Sequence, residues 1–207
     1  MDRRMIALTI YDDAYEVGAR VLERSFRRYN PDIEFEAIHA DRIECDLPAS
    51  DRYSVAMKKI SLFKHGWKGH KQMLFIDADC LCLGSVKWPG FAMGKDSLRY
   101  QYPLLNTGVV FYENCSFTGV PFQTFSTYDG GDQGYINDAI YYGWIKPGIL
   151  GPEMNFLASW VERHKNLHAF LQNKIKIFHF VGPKPWIEPD KCSPLWLERW
   201  MRFYGTI

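Results

Sequence analysis

Three stretches gather side chains able to do chemistry together. Leu74-Phe75-Ile76-Asp77-Ala78-Asp79 sets two carboxylates at the exit of an apolar run. In an extended chain, residues i and i+2 point the same way, roughly 7 Å apart. Two such charges repel unless a cation lies between them. Oxygen donors favour Mg²⁺ or Mn²⁺, and an added imidazole moves the balance towards Mn²⁺. The plainer reading is a strand end with two solvated aspartates, and Cys80 and Cys82 read as small buried apolar groups rather than ligands. The second stretch is Asp129-Gly130-Gly131-Asp132-Gln133-Gly134. Its paired glycines allow a tight turn close to a ligand, and its acids and amide suit a hydroxyl-rich one. The alternative is a helix entry capped by Asp129 or Asp132. The third is Phe178-His179-Phe180-Val181-Gly182-Pro183-Lys184-Pro185-Trp186. Here His179 offers a third metal ligand, Gly182 a chain reversal, Lys184 a point charge for phosphate and Trp186 a pocket wall. A histidine between two phenylalanines also fits a satisfied core residue.

The elements that must position these groups follow from hydrophobic spacing. Met5–Tyr11 reads as a buried first strand, and 14, 17, 21, 22 and 26 are apolar at helical spacing up to Tyr29. Asn30-Pro31-Asp32 stops that helix. Ile33–Ala40 alternates as a second strand. Val55–Trp67 predicts a helix, Met73–Ile76 a strand, Thr107–Tyr112 a strand, Gln133–Tyr142 a helix and Lys174–Phe180 a late strand. This alternation predicts an α/β domain with a mostly parallel sheet, where ligands bind beyond the carboxyl ends of the strands. The polar clusters at 11–13, 77–79 and 179–184 fall where strands run out.

The chain has 207 residues, 47% of them hydrophobic, enough for one sizeable core. With 25 basic and 24 acidic residues it has no charge excess to draw a nucleic acid. The five cysteines fit neither a zinc ribbon nor a disulfide scaffold, so reduced thiols in a cytoplasmic setting are expected. The first apolar run is too short to span a membrane. The tail, Pro194 to Tyr204, is rich in Leu, Trp, Met and aromatic residues. Packing on the core is expected for it, with a membrane contact or a neighbouring domain after the C-terminus as the alternatives.

Taken in order, these segments resemble the glycogenin-like retaining glycosyltransferases, family 8, of the GT-A fold. The resemblance implies a single GT-A domain over 1–207, with a nucleotide-binding half of about 1–105 and a sugar and acceptor half of about 106–207. It implies that Thr9, Tyr11 and Tyr15 line a uridine pocket and that Lys59, with Lys58 as fallback, meets donor phosphate or sugar. Asp77, Ala78 and Asp79 would form the metal and diphosphate motif, with His179 as third ligand of Mn²⁺ or Mg²⁺. Asn106 and Thr107, in Asn-Thr-Gly, correspond to donor-sugar contacts. So do Asp129, Asp132 and Gln133, the last two standing where the family does its chemistry. Asn155 is similar to an asparagine near the acceptor side, and Gly182 and Lys184 to the diphosphate turn. The sequence departs from the pattern in several places: only Pro183 separates Gly182 from Lys184, the first segment carries one extra residue, and nothing marks an autoglucosylation tyrosine, so a glycogen primer is not expected. The short form is also similar to compact domains of large algal viruses, for which the setting would be a host cytoplasm.

The implied reaction moves a hexose or deoxyhexose from a UDP-sugar to a glycan or small saccharide acceptor, with retention. The family favours same-face attack, in which the leaving phosphate takes the acceptor proton. Two other readings stand beside it. One is a phosphatase with an aspartyl-phosphate, which the position of Asp77 a third of the way along the chain disfavours. The other is a non-catalytic UDP-sugar binder.

Overall fold

The computed structural model describes residues 5–45, 54–96, 104–113, 116–117, 120 and 131–205. The first strand, β1 (Ile6–Tyr11), is buried at five of its six positions. Helix α1 (Glu16–Tyr29) buries Ala19, Leu22, Ser25 and Phe26 along one side, the spacing of an amphipathic helix. It starts two residues later than its apolar pattern, because Asp12 closes a turn by accepting from the Tyr15 N–H through both its backbone oxygen (2.9 Å) and its carboxylate (3.1 Å). Asn30 ends it, with its amide on Phe26 O at 3.2 Å and its carbonyl accepting from Val86 N at 2.8 Å. Next come β2 (Glu34–His39), α2 (Ser54–His65) and β3 (Gln72–Ile76). They are followed by β4 (Cys80–Cys82), β5 (Ala92–Lys95), β6 (Leu105–Glu113) and α3 (Asp132–Tyr141). The rest of the chain supplies β7 (Gly148–Ile149), β8 (Phe156–Leu157), α4 (Trp160–Arg163), α5 (Lys165–Leu171), β9 (Ile177–His179) and α6 (Pro194–Tyr204).

Six strands form the main sheet in the order β2-β1-β3-β6-β5-β7. The sheet is mixed, with three of its five pairings parallel. The expectation of a mostly parallel sheet describes the β2-β1-β3 half, and β6 breaks it by running antiparallel to both neighbours. That reversal matters for the site. Ile76 faces Val109 across the β3–β6 ladder, so the exit of β3 meets the entry of β6. The Asp77 N–H then donates to Gly108 O at 2.8 Å.

Side-chain alternation along β1 sorts two cores. Ile6, Leu8 and Ile10 pack towards Ile60 and Phe63 of α2 and Ile136 of α3. Ala7 points the other way, with Leu74 and Ile76 of β3, against Leu22 and Phe26 of α1. Each such side chain contributes about 1.5–3 kcal/mol on burial. A second sheet, β4-β9-β8, has its own core, in which Phe178 and Leu81 meet Trp196 and Trp200 of α6 and Val21 of α1. The apolar tail is therefore helix α6 packed on the core, with Trp196 and Trp200 buried. Among the described residues, no helix is long and apolar enough to cross a membrane.

Candidate active site

The acidic motif is a turn rather than the extended segment expected for it. Residues 77–79 link β3 to β4, and the Cys80 N–H closes the turn on Asp77 O at 3.0 Å. His179 arrives from a hundred residues away through strand register. In the antiparallel β4–β9 ladder it stands opposite Cys80, and the Phe180 N–H donates to Asp79 O at 2.9 Å. A slip of one residue would turn the imidazole to the other face. As built, His179 Nε2 lies 3.1 Å from Asp79 Oδ1 and 3.8 Å from Asp77 Oδ2. Cys80 also brings its sulfur near: ligand atoms of Asp79, Cys80 and His179 all lie within 4.8 Å of one another. Burial raises the Cys80 thiol well above its ordinary pKa, and a thiol must give up its proton to bind a metal.

Two lysines, Lys59 buried and Lys184 partly so, complete the cluster. Gly182 reverses the chain at φ +96°, a conformation that favours glycine. Lys184 then reaches back, its Nζ 2.6 Å from Asp79 Oδ2 and 2.7 Å from Phe180 O, so the single residue between Gly182 and Lys184 does not prevent the contact. Lys59 of α2 bridges Asp77 Oδ1 at 2.8 Å and Asp132 Oδ2 at 2.7 Å. Thr107 adds a hydroxyl that donates to Asp132 Oδ2 at 2.6 Å. Lys58 points elsewhere, to Ala40 O at 2.8 Å. Burial pushes Asp79 up, but the His179 imidazole and the Lys184 ammonium overcome it and hold its carboxyl well below the usual carboxylate range. For Lys59, burial lowers the pKa while Asp132 and Asp77 raise it further, leaving it above its ordinary value. Three carboxylates thus meet two ammonium groups. The excess of one negative charge, with an imidazole alongside, suits a divalent cation.

A cavity of about 310 Å³ opens beside this cluster, lined by Ile10, Tyr11, Asp12, Tyr15, Val55, Ala56, Lys59, Phe75, Asp77, Ala78, Asp79 and Asp132. That volume is at the lower end of small-molecule sites. Tyr11 and Tyr15 line it. Trp186 stands behind Tyr15, ring centroids 5.7 Å apart and edge-on, with its indole N–H on Ala14 O at 2.9 Å. It supports the wall rather than forming it. Thr9 is fully buried below the cavity, and its hydroxyl has no hydrogen-bond partner among the described residues. Asp132 opens α3 one residue after the N-cap, Gly131, so its carboxylate is spent on Lys59 and Thr107 and not on capping. Gln133 and Asn106 are joined at 3.1 Å. Asn155 is enclosed, 1% exposed, behind His179. Asp129 lies outside the described residues. Sequence reasoning missed Asp96, which accepts from Asn106 Nδ2 at 3.2 Å. It follows β5, a four-residue strand with no periodic signal of its own.

The mixed sheet with its flanking helices has the layout of the GT-A glycosyltransferase fold. The galactosyltransferase LgtC, solved with donor and acceptor sugar analogues, superposes with a TM-score of 0.65 at 17% identity, over 98% of this chain and 96% of that one. A glycosyltransferase involved in glycosylation of the major capsid of PBCV-1 shares the fold at a TM-score of 0.56 and 12% identity, over 87% of this chain and 95% of that one. Likeness at these identities shows fold and says nothing of source, so the similarity to viral domains gains no support from it. By sequence, the chain is 32% identical over 134 residues to UDP-glucuronate:xylan alpha-glucuronosyltransferase 2 of Arabidopsis thaliana, a match covering 57% of this chain. The chain spans about a fifth of the length of the curated relatives it matches (21% and 19%). No family model matches it.

Proposed function

We propose that this chain is a metal-dependent, retaining glycosyltransferase that takes a UDP-sugar and delivers its sugar to a saccharide acceptor. The observation that carries the reading is the convergence of Asp77, Asp79 and His179, the two carboxylates lining a cavity that Tyr11 and Tyr15 also line. The donor set fits a divalent cation: two carboxylates and an imidazole, with net negative charge around them. Mn²⁺ held there would supply Lewis-acid charge to a departing diphosphate. Lys184 adds a second positive charge on the same side, and Tyr15 offers a ring to the uracil. Asp132 faces the sugar end, where its carboxylate would steady positive charge developing at the anomeric carbon, and Gln133 offers the sugar a hydrogen bond. Asp132 is already engaged by Lys59 and Thr107, which dulls it as a nucleophile. That favours same-face attack, with the leaving phosphate taking the acceptor's proton. Hexoses, deoxyhexoses and, from the glucuronosyltransferase similarity, a uronic acid are the donors to try.

The test is Mn²⁺-dependent release of UDP from a panel of UDP-sugars. Asp79→Ala and His179→Ala are each expected to lose at least about 100-fold in turnover while keeping the fold by circular dichroism. Undiminished activity of either variant in EDTA sinks the metal role. Hydrolysis of p-nitrophenyl phosphate favours the phosphatase reading, and tight Mn²⁺–UDP binding with no UDP release from any donor leaves a binder.

A further inference from the structure

We infer that Asn106 and Asn155 form a hydrogen-bond relay that dictates which nitrogen of His179 is offered to a metal and which end of the Gln133 amide is left for substrate. The relay starts from groups whose roles are beyond choice. The backbone N–H of Gly108 can only donate, and it lies 2.9 Å from Asn106 Oδ1. The Asp96 carboxylate is an acceptor, and it lies 3.2 Å from Asn106 Nδ2. Both fix the Asn106 amide the same way round. Its oxygen then requires a donor from Asn155, whose Nδ2 stands at 2.9 Å. That turns Asn155 Oδ1 towards His179 Nδ1, at 3.3 Å, and an acceptor there requires Nδ1 to carry the proton. Nε2 faces the Asp79 and Asp77 carboxylates at 3.1 and 3.8 Å, so without a cation it donates to Asp79, and a bound cation would take that proton's place while Nδ1 keeps its own on Asn155.

The same hub acts on the sugar side. Asn106 Nδ2 also donates to Gln133 Oε1 at 3.1 Å. The Gln133 carbonyl is therefore occupied, and its NH₂ is the end it offers. One buried amide thus orients both a metal ligand and a substrate contact, as outer hydrogen bonds commonly do for imidazole ligands. Asn106 and Asn155 are positioning residues in this scheme, 5% and 1% exposed.

The assignment of the Nδ1 proton stands on the hydrogen bonds alone, while its consequence for metal affinity rests on the function proposed above. Two measurements separate them. In ¹⁵N-labelled, metal-free protein, long-range ¹H–¹⁵N correlation is expected to show a proton on His179 Nδ1 as well as on Nε2, and in Asn155→Leu the Nδ1 proton is expected to be lost while the one on Nε2, held by Asp79, stays. A spectrum of the wild type with Nδ1 unprotonated overturns the relay, even if the variant fails to fold. In a titration with Mn²⁺ alone, Asn155→Leu is expected to bind 10- to 100-fold more weakly. Equal affinity in wild type and a folded variant overturns the relay and leaves the metal site standing. No Mn²⁺ uptake by the wild type overturns the metal site and leaves the relay to the spectrum.

Discussion

Lys59 is 4% exposed and spans two carboxylates from distant parts of the chain. A buried pair of this kind adds little over a well-packed apolar replacement, but breaking it from one side costs about 3–5 kcal/mol, because the orphaned charges remain. Lys59→Met is expected to lose that much in urea unfolding at neutral pH, and to recover part of it in acid as Asp77, whose carboxyl is raised by burial, takes up a proton. The alkaline limb has a definite sign. The folded pKa of Lys59 is raised, so its contribution is complete below the unfolded value of about 10.4 and disappears as pH climbs through the higher folded one. Wild type and variant should therefore converge above about pH 10.4, as the unfolded lysine loses its proton first. A constant gap between the two from pH 7 to 11 would contradict the ion-pair account. Gln133→Glu tests the neighbouring position. The new carboxylate can still accept from Asn106, but it replaces the NH₂ donors with an acceptor, and a loss of about 10²-fold in kcat is expected.

At the scale of elements, β9 is held against β6, and Asn155 just ahead of β8 against β5, by missing side chains. A Cβ on Gly108 would lie 2.2 Å from His179 Cε1, and one on Gly94 would lie 2.5 Å from Asn155 Nδ2. Gly108→Ala is expected to cost about 1–3 kcal/mol through overpacking and to lower Mn²⁺ affinity by displacing the imidazole. Gly84→Ala, whose nearest obstacle is the flexible Lys176 side chain at 3.3 Å, serves as control and should stay within about 0.5 kcal/mol of wild type. Comparable melting of both variants would remove the close-approach argument. These contacts also mark how far the sequence is readable. Strands β1 and β3 and helix α1 announce themselves because one periodic pattern runs the length of each. Strands β4, β7 and β8 have two or three residues apiece, too few for a period to show, while β9 falls inside the late strand expected at Lys174–Phe180. Yet the β4–β9 register is what brings His179 to Asp79, and the long-range β3–β6 reversal is what brings Asn106 and Thr107 to Asp77. Residue types at 77, 79, 132, 179 and 184 were legible from local pattern. Their convergence depended on pairings between strands far apart in sequence, as did the roles of Asp96 and Asn155, which belong to no local pattern.

For the whole molecule, the site joins two bodies of structure. Asp77 and Lys59 belong to the main sheet and its helix, whereas His179 and Lys184 belong to the second sheet and the loop after it. The second sheet has three short strands and leans on its own core, in which Trp196 stacks on Phe178 with ring centroids 4.1 Å apart while Arg199 covers the indole at 4.7 Å. Trp196→Ala is expected to cost about 3–5 kcal/mol, on the order of 10 °C in Tm for a chain of this size. If a cation and a diphosphate bind where the two bodies meet, they clamp both together. Mn²⁺ plus UDP at about 100 times their Kd should then return about 2.7 kcal/mol. The gain should appear in Trp196→Ala as in the wild type, and hydrogen exchange should slow at the β9 amides as well as at β3. His179→Ala should lose the protection at β9 and with it most of the thermal shift. Slowed exchange at β3 alone, with β9 unaffected in the wild type, would mean that the nucleotide binds without engaging the second sheet, and the shared cation site would have to be abandoned.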